Sequence, residues 1–71
     1  MIVFLTNAMN RKEKIMIYYM DSKDEVSQRI IRVVQLGDEK ILAYCYYRKQ
    51  VRNFKIDNIL SYGRLKGRMG A

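Results

Sequence analysis

The sequence predicts a small all-β fold, five short strands wrapped into a barrel or a strongly bent sheet, with one short N-terminal helix across an opening. Three observations predict it. Runs rich in β-branched and aromatic residues recur from Lys14 onward, the composition that suits a pleated, half-buried surface. Short charged turns separate them, with no proline anywhere to mark a linker. Apolar side chains also occupy both faces of the first two runs, so a flat open sheet would leave too many of them wet.

The helix is expected over residues 6–13, where Thr6 and Asn7 are suited to capping free N–H groups and Leu5, Ala8 and Met9 make a small apolar stripe. So short a helix is marginal alone and must dock. Residues 14–20 form the first strand, with Ile15, Ile17 and Tyr19 on one face and Met16, Tyr18 and Met20 on the other. Asp21 to Glu25 is a polar turn. The second strand covers 26–36, and Gly37-Asp38-Glu39 ends it. The third covers 41–47, Arg48-Lys49-Gln50 turns into the fourth over 51–55, Ile56-Asp57-Asn58 forms a helical turn, and the fifth covers 59–65. Residues 1–65 thus read as one domain, and 66–71 as a flexible basic tail.

At 71 residues folding buries only about 60% of the surface of the open chain, so the core is thin and any site shallow. Cys45 is the one cysteine and histidine is absent, which excludes an internal disulfide and a Cys/His pair for zinc or nucleophilic catalysis. The acidic residues fall in turns or at the helix end, apart from Asp57, without the spacing of a calcium loop or the burial that tunes a general acid. The expectation is a non-enzymatic protein without cofactor or metal. Only Met1 to Leu5 is apolar at the start, and nothing approaches the roughly 20 apolar residues of a membrane span. A cytoplasmic protein away from membranes is expected. Fourteen Lys and Arg against seven Asp and Glu give +7, which favours anionic partners, although charge also serves solubility.

Three segments resemble the WYL domain family, Sm-like barrels found mostly in bacterial transcription regulators. Ala8 followed by Lys14-Ile15-Met16-Ile17-Tyr18-Tyr19 is similar to the family's opening helix and first strand. Arg29-Ile30-Ile31-Arg32-Val33-Val34-Gln35-Leu36 is similar to its Arg-x-Val-x-Pro-x-x-Leu strand, with Val33 in place of proline. Leu42-Ala43-Tyr44-Cys45, a charged turn and then Arg52-Asn53-Phe54-Lys55-Ile56-Asp57-Asn58-Ile59 resemble its Arg-x-Phe-x-hydrophobic-x-x-Ile segment. The name-giving triplet stands as Lys40-Ile41-Leu42, and Asn58 replaces a customary arginine. The resemblance implies a five-stranded Sm-like barrel with one short N-terminal helix. By the same resemblance the barrel would sense an effector or bind an oligonucleotide. There is no room in the chain for the helix-turn-helix domain usual in the family, so a separate DNA-binding regulator is the implied partner.

Arg29, Arg32 and Arg52 lie within strands, and a guanidinium fork matches phosphate in bidentate fashion. Alternation puts Arg29 and Arg32 on opposite faces, and the family pattern favours Arg29. Candidate ligand residues are therefore Arg29 and Arg52 with Tyr19, Tyr44 and Phe54, for a nucleotide or single-stranded nucleic acid whose bases stack on tyrosine. In the alternative, Arg52 pairs with Asp57 or Glu25. A rival of another class is a protein interaction or homo-oligomerisation module, with Met9, Met16 and Met20 as an adaptable surface and charge serving solubility alone.

Overall fold

The structure, a computed structural model, describes residues 1–65. The tail expected at 66–71 lies outside them. In order along the chain come helix α1 (Ile2–Arg11), strands β1 (Ile15–Met20), β2 (Val26–Leu36), β3 (Lys40–Cys45) and β4 (Gln50–Lys55), a 3-10 turn (Ile56–Asn58) and strand β5 (Ile59–Arg64).

Helix α1 starts four residues earlier than its capping residues suggested. Met1 is its N-cap, without a side-chain capping bond, and Thr6 and Asn7 lie inside the helix. Burial decides over propensity here: Leu5 and Ala8 both enter the core and Met9 packs against it, and packing an apolar face outweighs the few tenths of a kcal/mol that separate residue preferences. The helix ends where Lys12 turns left-handed at φ 55°. The Lys12 N–H donates to the Met9 carbonyl and the Glu13 N–H to the Ala8 carbonyl, the paired bonds that satisfy the last free carbonyls.

Five antiparallel strands form one sheet in the order β4-β3-β2-β1-β5. Strand β2 builds it. Its first half pairs with β1, from Val26 opposite Met20 to Ile31 opposite Ile15, and its second half pairs with β3, from Ile31 opposite Cys45 to Leu36 opposite Ile41. The ladder shifts register between Val33 and Gln35, leaving Val34 as an extra residue that increases bend and twist. A second shift lies between Tyr18 and Tyr19, opposite β5. Gly37 makes the β2–β3 turn possible, because a Cβ there would come within 2.9 Å of the Lys40 carbonyl oxygen.

No ladder joins β4 to β5 among the described residues, so the expected barrel is realised as a curled, open sheet. Side chains span the gap instead. The Lys55 N–H donates to the Tyr19 hydroxyl at 2.9 Å, and the Tyr19 and Phe54 rings meet edge to face at 5.0 Å. The Ile56 N–H donates to the Glu39 carbonyl at 2.9 Å, extending the β3–β4 pairing by one bond. Ile15, Ile17, Ile31, Val33, Ile41, Ala43, Cys45, Phe54 and Ile59 line the concave side with Leu5 and Ala8, while Phe4 of the helix meets Tyr62 of β5 at 4.7 Å. Strand β3 stops at Cys45 rather than Tyr47. With Cys45 paired to Gln50 the chain reverses through residues 46–49, Lys49 taking φ 56°, so Tyr46 and Tyr47 become turn residues despite their strand preference.

Two substitutions test this construction. Leu5→Ala should cost about 2 to 5 kcal/mol in urea unfolding, since it opens a cavity beneath a helix that has little stability of its own. Tyr19→Phe keeps the ring contact and loses the acceptor, for an expected cost of about 1 kcal/mol by the same measurement; no change would mean that the hydroxyl does not hold the curl.

Candidate anion-binding site

Alternation along three strands aims one set of side chains into the hollow of the curl. On β1 the inward residues are Ile15, Ile17 and Tyr19; on β2, Arg29 stands two places before buried Ile31 and opposite buried Ile17; on β4, Arg52 stands two places before buried Phe54 and opposite buried Ala43. The core thus ends in arginines. Tyr19, Arg29, Arg52 and Phe54 line one cavity of about 290 Å³, together with Cys45 at its apolar wall and Asp21, Ser22, Asn53, Lys55 and Asn58 around it.

Of the residues that line it, three are cationic, Arg29, Arg52 and Lys55, and one is a carboxylate, Asp21. The single ion pair among the described residues joins Arg64 to Glu13 at 2.8 Å, away from this cavity. Arg52 therefore pairs with neither Asp57 nor Glu25, and Arg29 has no carboxylate of the described residues within 4.0 Å. The guanidinium of Arg29 lies 5.6 Å from the centre of the Tyr47 ring, an attraction that leaves its in-plane N–H donors free. Asp21 is anchored in its own turn. Its Oδ1 accepts the Glu25 N–H at 3.0 Å and the Lys23 N–H at 2.8 Å, and these bonds hold its carboxyl below the usual aspartate range against the opposing effect of desolvation, with lesser help from the charges of Lys23 and Arg29.

One residue expected in this group is elsewhere. Tyr44 lies between Ala43 and Cys45, both buried, so alternation turns it to the convex face, where it meets Tyr46 edge to face at 4.9 Å. Arg32 shares that outer face, as the opposite parity of Arg29 and Arg32 requires. Conversely, Lys55, Asn53 and Ser22 border the cavity and Tyr47 reaches Arg29 without having stood out in the sequence, while Asn58, which borders it too, had stood out only as the replacement of a customary arginine. Tyr47 carried one signal, an aromatic directly before Arg48-Lys49. A larger hollow of about 440 Å³ borders the β2–β3 turn, but Asp38 and Glu39 beside Lys40 make it unfavourable for anions. Among the described residues no three His, Cys, Asp or Glu side chains gather, and no helix is long and apolar enough to cross a membrane.

No family model matches the chain, and no curated protein matches it. Among solved structures it is similar to proteasome accessory factor B/C (PafBC) of Arthrobacter aurescens, with a TM-score of 0.81 and 26% sequence identity. The two share a fold. The likeness covers 94% of this chain and 11% of the PafBC chain, so this sequence corresponds in size to a small part of PafBC.

The bonds to Asp21 set a direction with pH. A carboxyl whose folded pKa is depressed adds stability that is complete above the unfolded value, about 3.9, and is lost as pH falls through the lower folded value. An NMR titration should place the Asp21 midpoint below about 3.9, and a midpoint at or above it would remove the proposed turn bonds.

Proposed function

We propose that this chain is a WYL-type sensing module of transcription regulation that binds a nucleotide or short single-stranded nucleic acid in the cavity of Arg29, Arg52, Tyr19 and Phe54, and transforms nothing. The reading rests chiefly on one observation: two arginines from different strands line the same hollow without a carboxylate partner within 4.0 Å among the described residues. The segments between Ala8 and Ile59 that resemble the WYL family and the fold shared with part of PafBC support it.

Recognition divides between the two ends of the cavity. A phosphate accepts from the guanidinium forks of Arg29 and Arg52, geometry that a carboxylate or phosphate fits and a neutral ligand does not. Lys55 adds charge at the rim. The edge-to-face Tyr19–Phe54 pair offers an apolar wall for a base, while Asn58 presents an amide group that both donates and accepts. Occupancy bridges β2 and β4, strands that are not hydrogen-bonded to each other, and so tightens the curl. A separate DNA-binding regulator would sense that change at the module's surface.

A second reading has its own observation. Ile2 and Val3 are 50% and 72% exposed on the outer side of α1, a small apolar surface that suits a second copy or a regulator. Light scattering over a dilution series separates the two, since an assembly indifferent to anions favours this alternative.

Titrating nucleotides and short single-stranded oligonucleotides at two salt concentrations tests the leading reading. Arg52→Ala should weaken binding about tenfold or more, the worth of a charge-assisted hydrogen bond, and binding should weaken with added salt. Absence of binding, or affinity that ignores Arg52, refutes it.

A further inference from the structure

The convex face carries a second set of cations and tyrosines. Lys14, immediately before β1, places its ammonium 4.7 Å from the centre of the Tyr46 ring, and Tyr46 meets Tyr44 at 4.9 Å. Tyr44 in turn lies directly opposite Arg32 on β2 and Val51 on β4. Lys14, Tyr46, Tyr44 and Arg32 thus form one continuous strip, and the turn that follows adds Arg48 and Lys49. Neither Lys14 nor Arg32 has a carboxylate within 4.0 Å, because Arg64–Glu13 is the one ion pair among the described residues.

Strip and cavity lie back to back. Ala43 and Cys45 point inward where Tyr44 points outward, and Arg29 points inward where Arg32 points outward. Strand β4 is an edge of the sheet. A chain leaving the cavity past Arg52 therefore crosses a single strand, over Val51, to arrive beside Tyr44.

We propose that this outer strip is a second contact surface for single-stranded nucleic acid, engaged by a strand that passes from the inner cavity over β4. The proposal rests on the cavity being the primary site. Charge and ring chemistry choose the occupant: regularly spaced phosphates complement the two unpaired cations, and partly exposed tyrosines accept bases of any sequence. A mononucleotide or dinucleotide is too short to reach both faces, so affinity depends on strand length.

Fluorescence anisotropy with a labelled thymidine dinucleotide and a labelled thymidine 12-mer, at 50 and 200 mM salt as about the range where phosphate contacts dominate, tests this on the full chain. The double variant Lys14→Gln/Arg32→Gln keeps both side chains polar and of similar length, and a thermal melt confirms that it folds. In the wild type the 12-mer should bind about tenfold or more tighter than the dinucleotide. The double variant should lose most of that advantage, leave dinucleotide affinity unchanged, and flatten the logarithmic salt slope for the 12-mer by about 1.4, two phosphates at roughly 0.7 each. Arg52→Ala should weaken both ligands. An unchanged 12-mer affinity and slope in the double variant, with binding still lost on Arg52→Ala, overturns the outer strip and leaves the cavity standing. Failure of both ligands to bind the wild type overturns the cavity itself. Displacement of the 12-mer by polyglutamate at equal charge would assign the strip to acidic protein and also overturn the proposal.

Discussion

Everything distinctive about this molecule depends on β1 touching β4 across the hollow of the sheet. Two strands, β3 and β2, lie between them, and at about 4.8 Å per strand a flat sheet would hold β1 and β4 about 14 Å apart. A tyrosine side chain reaches less than half of that. Yet the Tyr19 hydroxyl accepts the Lys55 N–H at 2.9 Å and its ring meets Phe54 at 5.0 Å. The sheet must curl for these contacts to exist, and the long strand β2, with its extra residue at Val34, supplies the bend.

Curling divides the side chains into two populations with different electrostatics. On the concave side, aliphatic residues from β1, β2 and β3 pack under Leu5 and Ala8, and the packing stops where the helix no longer covers the hollow. At that margin a long side chain with an aliphatic stem and a charged head is well suited, since the stem lies on apolar surface and the head meets water or an acceptor. Arg29 and Arg52 occupy this position. Asp21, the one carboxylate among the residues lining the mouth, is held by the backbone of its own turn, and it offsets only part of the charge of Arg29, Arg52 and Lys55.

Much of this was legible before the chain was folded. The β-branched and aromatic runs predicted all five strands, and β2 has the predicted bounds. Strand alternation separated Arg29 from Arg32, and the helical spacing of three joined Leu5 to Ala8. The errors occurred where local preference and packing disagree. Thr6 and Asn7 are good caps but sit in the helix because Leu5 needs a turn before it to reach the core, and Tyr46 and Tyr47 are good strand residues but lie in a turn because Cys45 already faces Gln50.

Composition and alternation by themselves determined the class of fold, the surplus of positive charge and the parity of strand residues between the register shifts, because each is a property of neighbours along the chain; the shift at Val34 and the one opposite Tyr18 and Tyr19 reset that parity. Parity also contained the answer for Tyr44, between two inward-facing residues, but which parity faces inward is settled only when a sheet bends one way. The placing of Arg29 and Arg52 at one hollow, with Lys55 and Asn58 at its border, and the absence of a β4–β5 ladder among the described residues were decided by tertiary structure alone. These depend on curvature accumulated over three strand pairings, a distance that no local pattern of residues encodes.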